Sequence, residues 1–215
     1  MSRAEQLKPG DVSLGQTYEF FRAFGKAGGT IPMVQKLIED SPLMCGLVER
    51  IMEAAIMAAV EKGVKVEDGY YVFEDPGFSL NTQFDLPIVR NNDLIRRQHV
   101  EWCRNYGWAK LVEGPKIRRL RIPIDASFDK NFQAQERELL KEENLPSTRI
   151  VTTFLIINCL ATGTRLLPNC EVRCLDMDNE GHRVTVGHFK DNGFGIGQVW
   201  DVNSNPASGI AGLRN

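Results

Sequence analysis

The sequence predicts an α+β protein: an N-terminal helical bundle, then helices packed on an antiparallel sheet that ends in a three-stranded meander. Three observations carry that expectation. Met44, Leu47, Val48, Ile51, Ala55 and Ala58 recur at helical spacing between Pro42 and Gly63. IRRLRIPI, from Ile117 to Ile124, alternates apolar and polar residues with the period of a strand. EVRCLDM, HRVTVGHF and FGIGQVWDV are separated by DNEG and KDNG, whose Asp, Asn and Gly suit the left-handed backbone of tight turns.

Taken in order, Ser13 with Gln16 forms a capping-box pattern opening a helix through TYEFFRAFGK, and Thr30 caps a second helix carrying Val34, Leu37 and Ile38. Ser41 and Pro42 suit the N-cap and first turn of a third helix, with Gly63 just past its end. These helices make residues 1–66 a helical region and 67–215 an α+β region. A strand is expected at Tyr70–Phe73, then a loop, then a helix opened by Asn91 or Asn92 and closed near Gly107. Leu120, Ile122 and Ile124 fall on one face of the next strand and Arg119 and Arg121 on the other, with Pro123 pointing to a sheet edge. A charged helix is expected at Asn131–Glu143. PSTRIVTTFLIINCLATG reads as a buried helix, although its β-branched residues also suit a strand, and the tail SNPASGIAGLRN reads as irregular.

Composition excludes several classes. A chain of 215 residues with 42% hydrophobic and 25% charged residues can bury a core unaided. Its net charge of −2 gives no whole-molecule attraction to nucleic acid or anionic lipid, so any such binding must be local. Five scattered cysteines suit free thiols in a reducing compartment, and MSRAEQLKPGD lacks the apolar core of a signal peptide. Ile150–Leu160 is too short to span a bilayer. The expected location is cytoplasmic, with no membrane association and no cofactor.

Most candidate chemistry fails on spacing. GKAGGT holds the residues of a phosphate loop in the wrong order. Asp176, Asp178, Glu180 and Gly181 match half of a calcium loop, but the twelfth position is Gly187 where a bidentate acid is needed. Cys170, Cys174, His182 and His188 have the donor types of a zinc site, but His182 and His188 lie about 20 Å apart on a straight strand. His99 and Cys103 share a helix face on this reading, as a thiolate pair would, although that face is also apolar. The second helix, IPMVQKLIED, is too acidic to read DNA. No positive signal supports an enzyme.

The basic stretch from Arg90 to Arg121 is the strongest remaining feature. It holds nine basic residues against Asp93, Glu101 and Glu113, with Trp102, Tyr106 and Trp108 interleaved. Arginines hold phosphates bidentately and exposed aromatics stack on unpaired bases, so RNA or single-stranded DNA is the leading expected partner. The expected site residues are Arg96, Arg97, Arg104, Arg118, Arg119 and Arg121. The competing reading makes Arg97 and Glu101 a helix salt bridge and the tryptophans core anchors. In it, Glu136, Glu138, Glu142 and Glu143 neutralise the patch. The alternative function is a protein-interaction or self-association module.

LATGTRLLPNCEVRC, GHRVTVGHF and DNGFGI, with FFRAFGKAGGTIPMVQKLIEDSPLM near the start, resemble segments of uncharacterised proteins from uncultivated bacteria. The resemblance covers about half the chain. It implies a bacterial cytosolic protein of unknown function and transfers no site residue.

Overall fold

The structure, a computed structural model, describes residues 42–95, 97–98, 100–191 and 193–214. The expected helices of residues 13–40 lie outside the described residues. Two compact units divide the chain, Met1–Met57 and Ala58–Asn215, and the division falls inside the first described helix, α1 (Pro42–Lys62). In the first unit the described part of α1 buries Val48 and Ile56, which recur at helical spacing. Past its end, Gly63 takes the left-handed conformation (φ 70°) and donates to the carbonyls of Ala59 and Val60.

The second unit holds two sheets. One is antiparallel, in the order β1 (Lys65–Glu67), β2 (Tyr70–Asp75), β4 (Lys116–Arg121), β9 (Gly212–Arg214). The other runs β3 (Arg97–Gln98), β7 (Gly193–Val199), β6 (Arg183–Lys190), β5 (Glu171–Met177), β8 (Ser208–Ile210). Its centre is an antiparallel meander of β5, β6 and β7, but both outer strands pair in parallel, so the sheet is mixed. Only Ala211 separates β8 from β9, and one short segment therefore passes from one sheet to the other.

Remaining helices are α2 (Leu80–Asp85), α3 (Pro87–Arg90), α4 (Phe132–Glu136) and α5 (Thr148–Thr162). In α5 every residue from Thr148 to Cys159 is buried, and the helix touches β2 of one sheet and β5 and β6 of the other. A helix buried on every side, its polar Arg149 satisfied by Asp75, belongs between layers, which resolves the helix-or-strand ambiguity. Its ends follow local rules: the Ser147 hydroxyl accepts from Ile150 N–H, and Gly163 (φ 70°) donates to the Cys159 carbonyl. Phe154 sets its ring 5.1 Å from Tyr71 and 5.4 Å from Phe73, joining helix to sheet.

Several expectations are corrected. Among the described residues of 92–107 there is no α-helix; the chain makes 3₁₀ turns at Asp93–Ile95, Glu101–Asn105 and Gly107–Lys110, with β3 between the first two. The tryptophans explain this: Trp102 Nε1 donates to the Ile196 carbonyl and Trp108 Nε1 to the Met177 carbonyl, so the aromatic group bridges β7 and β5. Those anchors override helix spacing. The charged helix is only α4; beyond it the chain turns so that Glu143 points inward. The tail is ordered as β8 and β9. Pro123 marks no edge, because β4 lies between β2 and β9 and ends at Arg121, ahead of the cis Ile122–Pro123 bond.

Candidate nucleic-acid interface

Strand alternation divides the arginines of β4. Arg118 and Leu120 face the interior, opposite Phe73 and Tyr71 of β2, while Arg119 and Arg121 face outward. Arg118 is 3% exposed. Its Nε donates to Asp75 at 3.1 Å, and its Nη2 meets Glu113. Arg149 completes the cluster by gripping both Asp75 oxygens at 2.9 Å, and the Gly77 N–H adds a fourth donor. Burial alone would raise the Asp75 pKa, but the bonds and charge of Arg149, with Gly77 and Arg118, hold it below the ordinary value. Arg118 is thus an interior scaffold cation, a correction to its expected place on a phosphate-binding surface.

Arg121 is also engaged by the fold. Its Nε lies 2.8 Å from Glu143 Oε1, and its Nη2 reaches the Glu138 carbonyl. The buried Tyr70 hydroxyl donates to the same carboxylate at 2.7 Å. Gly212 makes room for it, since a Cβ there would sit 2.5 Å from the Glu143 carboxyl carbon. Arg121 therefore pins the 137–143 segment against the outer face rather than offering free donors.

Arg104 and Arg97 lie elsewhere in the fold. Arg104 lies 3.0 Å from Asp85 of α2, with Glu101 on its other side. Arg97 belongs to β3, in the five-stranded sheet, away from β4 in the other. Arg96 lies outside the described residues, as does His99; Cys103 is fully buried, its thiol donating to the Val100 carbonyl at 2.9 Å.

What the fold does bring together is a different cationic row. Register sets Lys65 of β1 opposite Val72 of β2, Val72 opposite Arg119 of β4, and Arg119 opposite Arg214 of β9. Directly opposed residues share a face, so Lys65, Arg119 and Arg214 span about 14 Å of the outer surface. Arg119 touches Glu67 at 3.1 Å, and Arg214 lies 3.7 Å from Glu142; both pairs are solvent-exposed. Sequence reading missed Lys65 and Arg214 because only strand register relates them to Arg119. Arg118 was legible, since alternation already put it on the face of Leu120.

The remaining ion-site candidates resolve into structural roles. Asp176 accepts from the Thr148 N–H at the start of α5, and Asp178 accepts from the N–H groups of Glu180 and His182 in a turn. Cys174 is sealed in the core. Among the described residues no group of three His, Cys, Asp or Glu side chains is placed to hold a metal ion. Among the described residues, too, no helix is long and apolar enough to cross a membrane. No family model, curated protein or solved structure matches the chain.

Proposed function

We propose that the protein is a non-enzymatic cytoplasmic binding protein that takes a polyanion, single-stranded RNA or DNA, on the outer face of its four-stranded sheet. One observation carries this reading. Arg119 and Arg214 stand directly opposite each other on neighbouring strands, with Lys65 in the same row. Like charges placed opposite each other destabilise a sheet by roughly 0.2–1 kcal/mol, a cost an anion laid across the row removes. Their acidic partners, Glu67 and Glu142, are 44% and 47% exposed in their side chains. Such surface pairs hold each other by well under about 1 kcal/mol, so phosphates can displace them. Arg118 and Arg121, tied to interior acids, hold the sheet in shape.

The test is fluorescence anisotropy with a labelled single-stranded RNA. Arg119→Ala and Arg214→Ala each weaken binding on this reading, and Arg104→Ala leaves it unchanged. Equal affinity in all three variants removes the row as the site.

A second reading has its own support. Met177 pairs with Arg183, which pairs with Val199, so Met177 and Trp200 lie at the same end of the meander. Leu175, Met177, Trp200 and Val202 are all exposed. Exposed apolar groups gathered at one end favour a protein partner. Pull-down or light scattering that depends on Trp200 and Met177, with no RNA binding, supports this reading over the first.

A further inference from the structure

Three strand ends meet at one corner of the five-stranded sheet, where β5 stops at Met177, β6 starts at Arg183 and β7 stops at Val199. Register lines these residues up in a row. Arg183 ties the corner together. Its Nε and Nη2 meet the Asp201 carboxylate at 2.9 and 3.0 Å, and its Nη1 donates to the Cys174 and Leu175 carbonyls at 3.2 Å. One guanidinium thus draws residue 201 to the backbone of residue 175. Leu175, Met177, Trp200 and Val202, all exposed, gather around it. Large apolar side chains grouped in water mark a surface that another molecule covers.

Charge at this corner is one-sided. Residues 175–183 and 199–203 hold Asp176, Asp178, Glu180 and Asp201 against the single base Arg183, a local −3 in a chain of net −2. Arg183 is 6% exposed and directs its donors at Asp201 and strand carbonyls, so it presents no cation to solvent. The Glu180 side chain is 77% exposed and lies 3.8 Å from His182. The His182 ring packs on Trp200 with centroids 3.8 Å apart, and Trp200 stays 48% exposed. An open indole near an open carboxylate suits a guanidinium or ammonium, which gains from both the ring face and the charge.

We propose that this corner docks a basic peptide segment of a partner protein, one carrying large apolar side chains among arginines or lysines. The proposal deepens, and rests on, the protein-partner reading given above. The segment's apolar residues cover Leu175, Met177 and Val202, and one of its cations lies over Trp200 toward Glu180. The local charge repels a polyanion and an anionic lipid surface alike, so neither is the occupant.

The test is fluorescence anisotropy of the full chain with labelled heptapeptides in which leucine alternates with arginine, with glutamate or with serine, and amide NMR spectra recorded alongside. Expected are saturable binding of the leucine–arginine peptide that weakens with salt, binding of the leucine–serine peptide at least about tenfold weaker, and none of the leucine–glutamate peptide. Trp200→Ala weakens the leucine–arginine peptide by about tenfold or more, as truncation of an aromatic anchor implies. Glu180→Lys weakens it too, and Glu61→Gln, an exposed position at the end of α1, leaves it unchanged. Amide shifts in the unaltered chain centre on 175–183 and 199–203, a readout that needs no variant. Absence of leucine–arginine binding, equal affinity in Trp200→Ala, or shifts confined to other residues overturns the proposal. Leucine–serine or leucine–glutamate peptide bound as tightly at this corner also overturns it, yet leaves the protein-partner reading standing, so the two failures are distinct.

Discussion

Arg149 of the central helix grips both carboxylate oxygens of Asp75, the last residue of β2, with two 2.9 Å bonds in an interior where both side chains are almost wholly buried. Arg118 and the Gly77 N–H share the same carboxylate. The pair ties α5 to the four-stranded sheet, which carries the proposed binding row on its far side. Asp75→Asn leaves two buried guanidinium groups short of a counter-charge. The expected loss is about 3–5 kcal/mol of stability, read as a lower urea midpoint with an unchanged slope.

Acid should unfold the protein through the same clusters. Burial works to raise the pKa values of Asp75, Glu113 and Glu143, but their arginine partners more than offset it, and all three sit below their ordinary values. A carboxylate whose folded pKa is depressed contributes stability above its unfolded pKa and loses it as pH falls through the folded one. Stability should therefore be level from neutral pH to about 5 and fall steeply below about 4. Denaturant titrations at pH 7, 5, 4 and 3 check this.

Gly212 is held small by Glu143. Gly212→Ala puts a methyl group 2.5–2.6 Å from the carboxyl atoms, displacing a group that Arg121, Tyr70 and the Leu140 N–H all hold. A loss of about 1–3 kcal/mol is expected, as for overpacking. Thermal melts of Gly212→Ala, alone and with Glu143→Ala, measure it; the double variant should show little additional cost from the methyl.

Thiol reactivity should follow burial. Cys103, Cys159 and Cys174 are buried, and burial pushes the Cys103 thiol up to about 11. Cys170 is the partly exposed member of the four described thiols. Short alkylation at pH 8 followed by peptide mass spectrometry should label Cys170 first and the other three only after denaturation.

Where the sequence was legible, local chemistry decided the structure. Ser147 and Gly163 bracket α5, Gly63 ends α1, and the turns after Met177 and Lys190 set the meander. Where it was not, distant partners decided. Trp102 and Trp108 spend their indole donors on strand carbonyls far along the chain, which no helical periodicity anticipates. The tail looked irregular because GIAGL is small and lacks alternation, yet it supplies two strands. The candidate site divided the same way. Six arginines read as one basic stretch, but alternation turned Arg118 inward, and register paired Arg119 with Arg214, ninety-five positions away.

The most direct measurement is the salt dependence of single-stranded RNA affinity for the unaltered chain. Three phosphates held by Lys65, Arg119 and Arg214 predict a slope of log affinity against log salt near −2, at about −0.7 per contact on a single strand. Arg214→Ala should bring the slope toward about −1.4. Flat isotherms at low salt, or a slope that Arg214→Ala leaves untouched, would contradict the account and leave the apolar end of the meander as the surface to pursue.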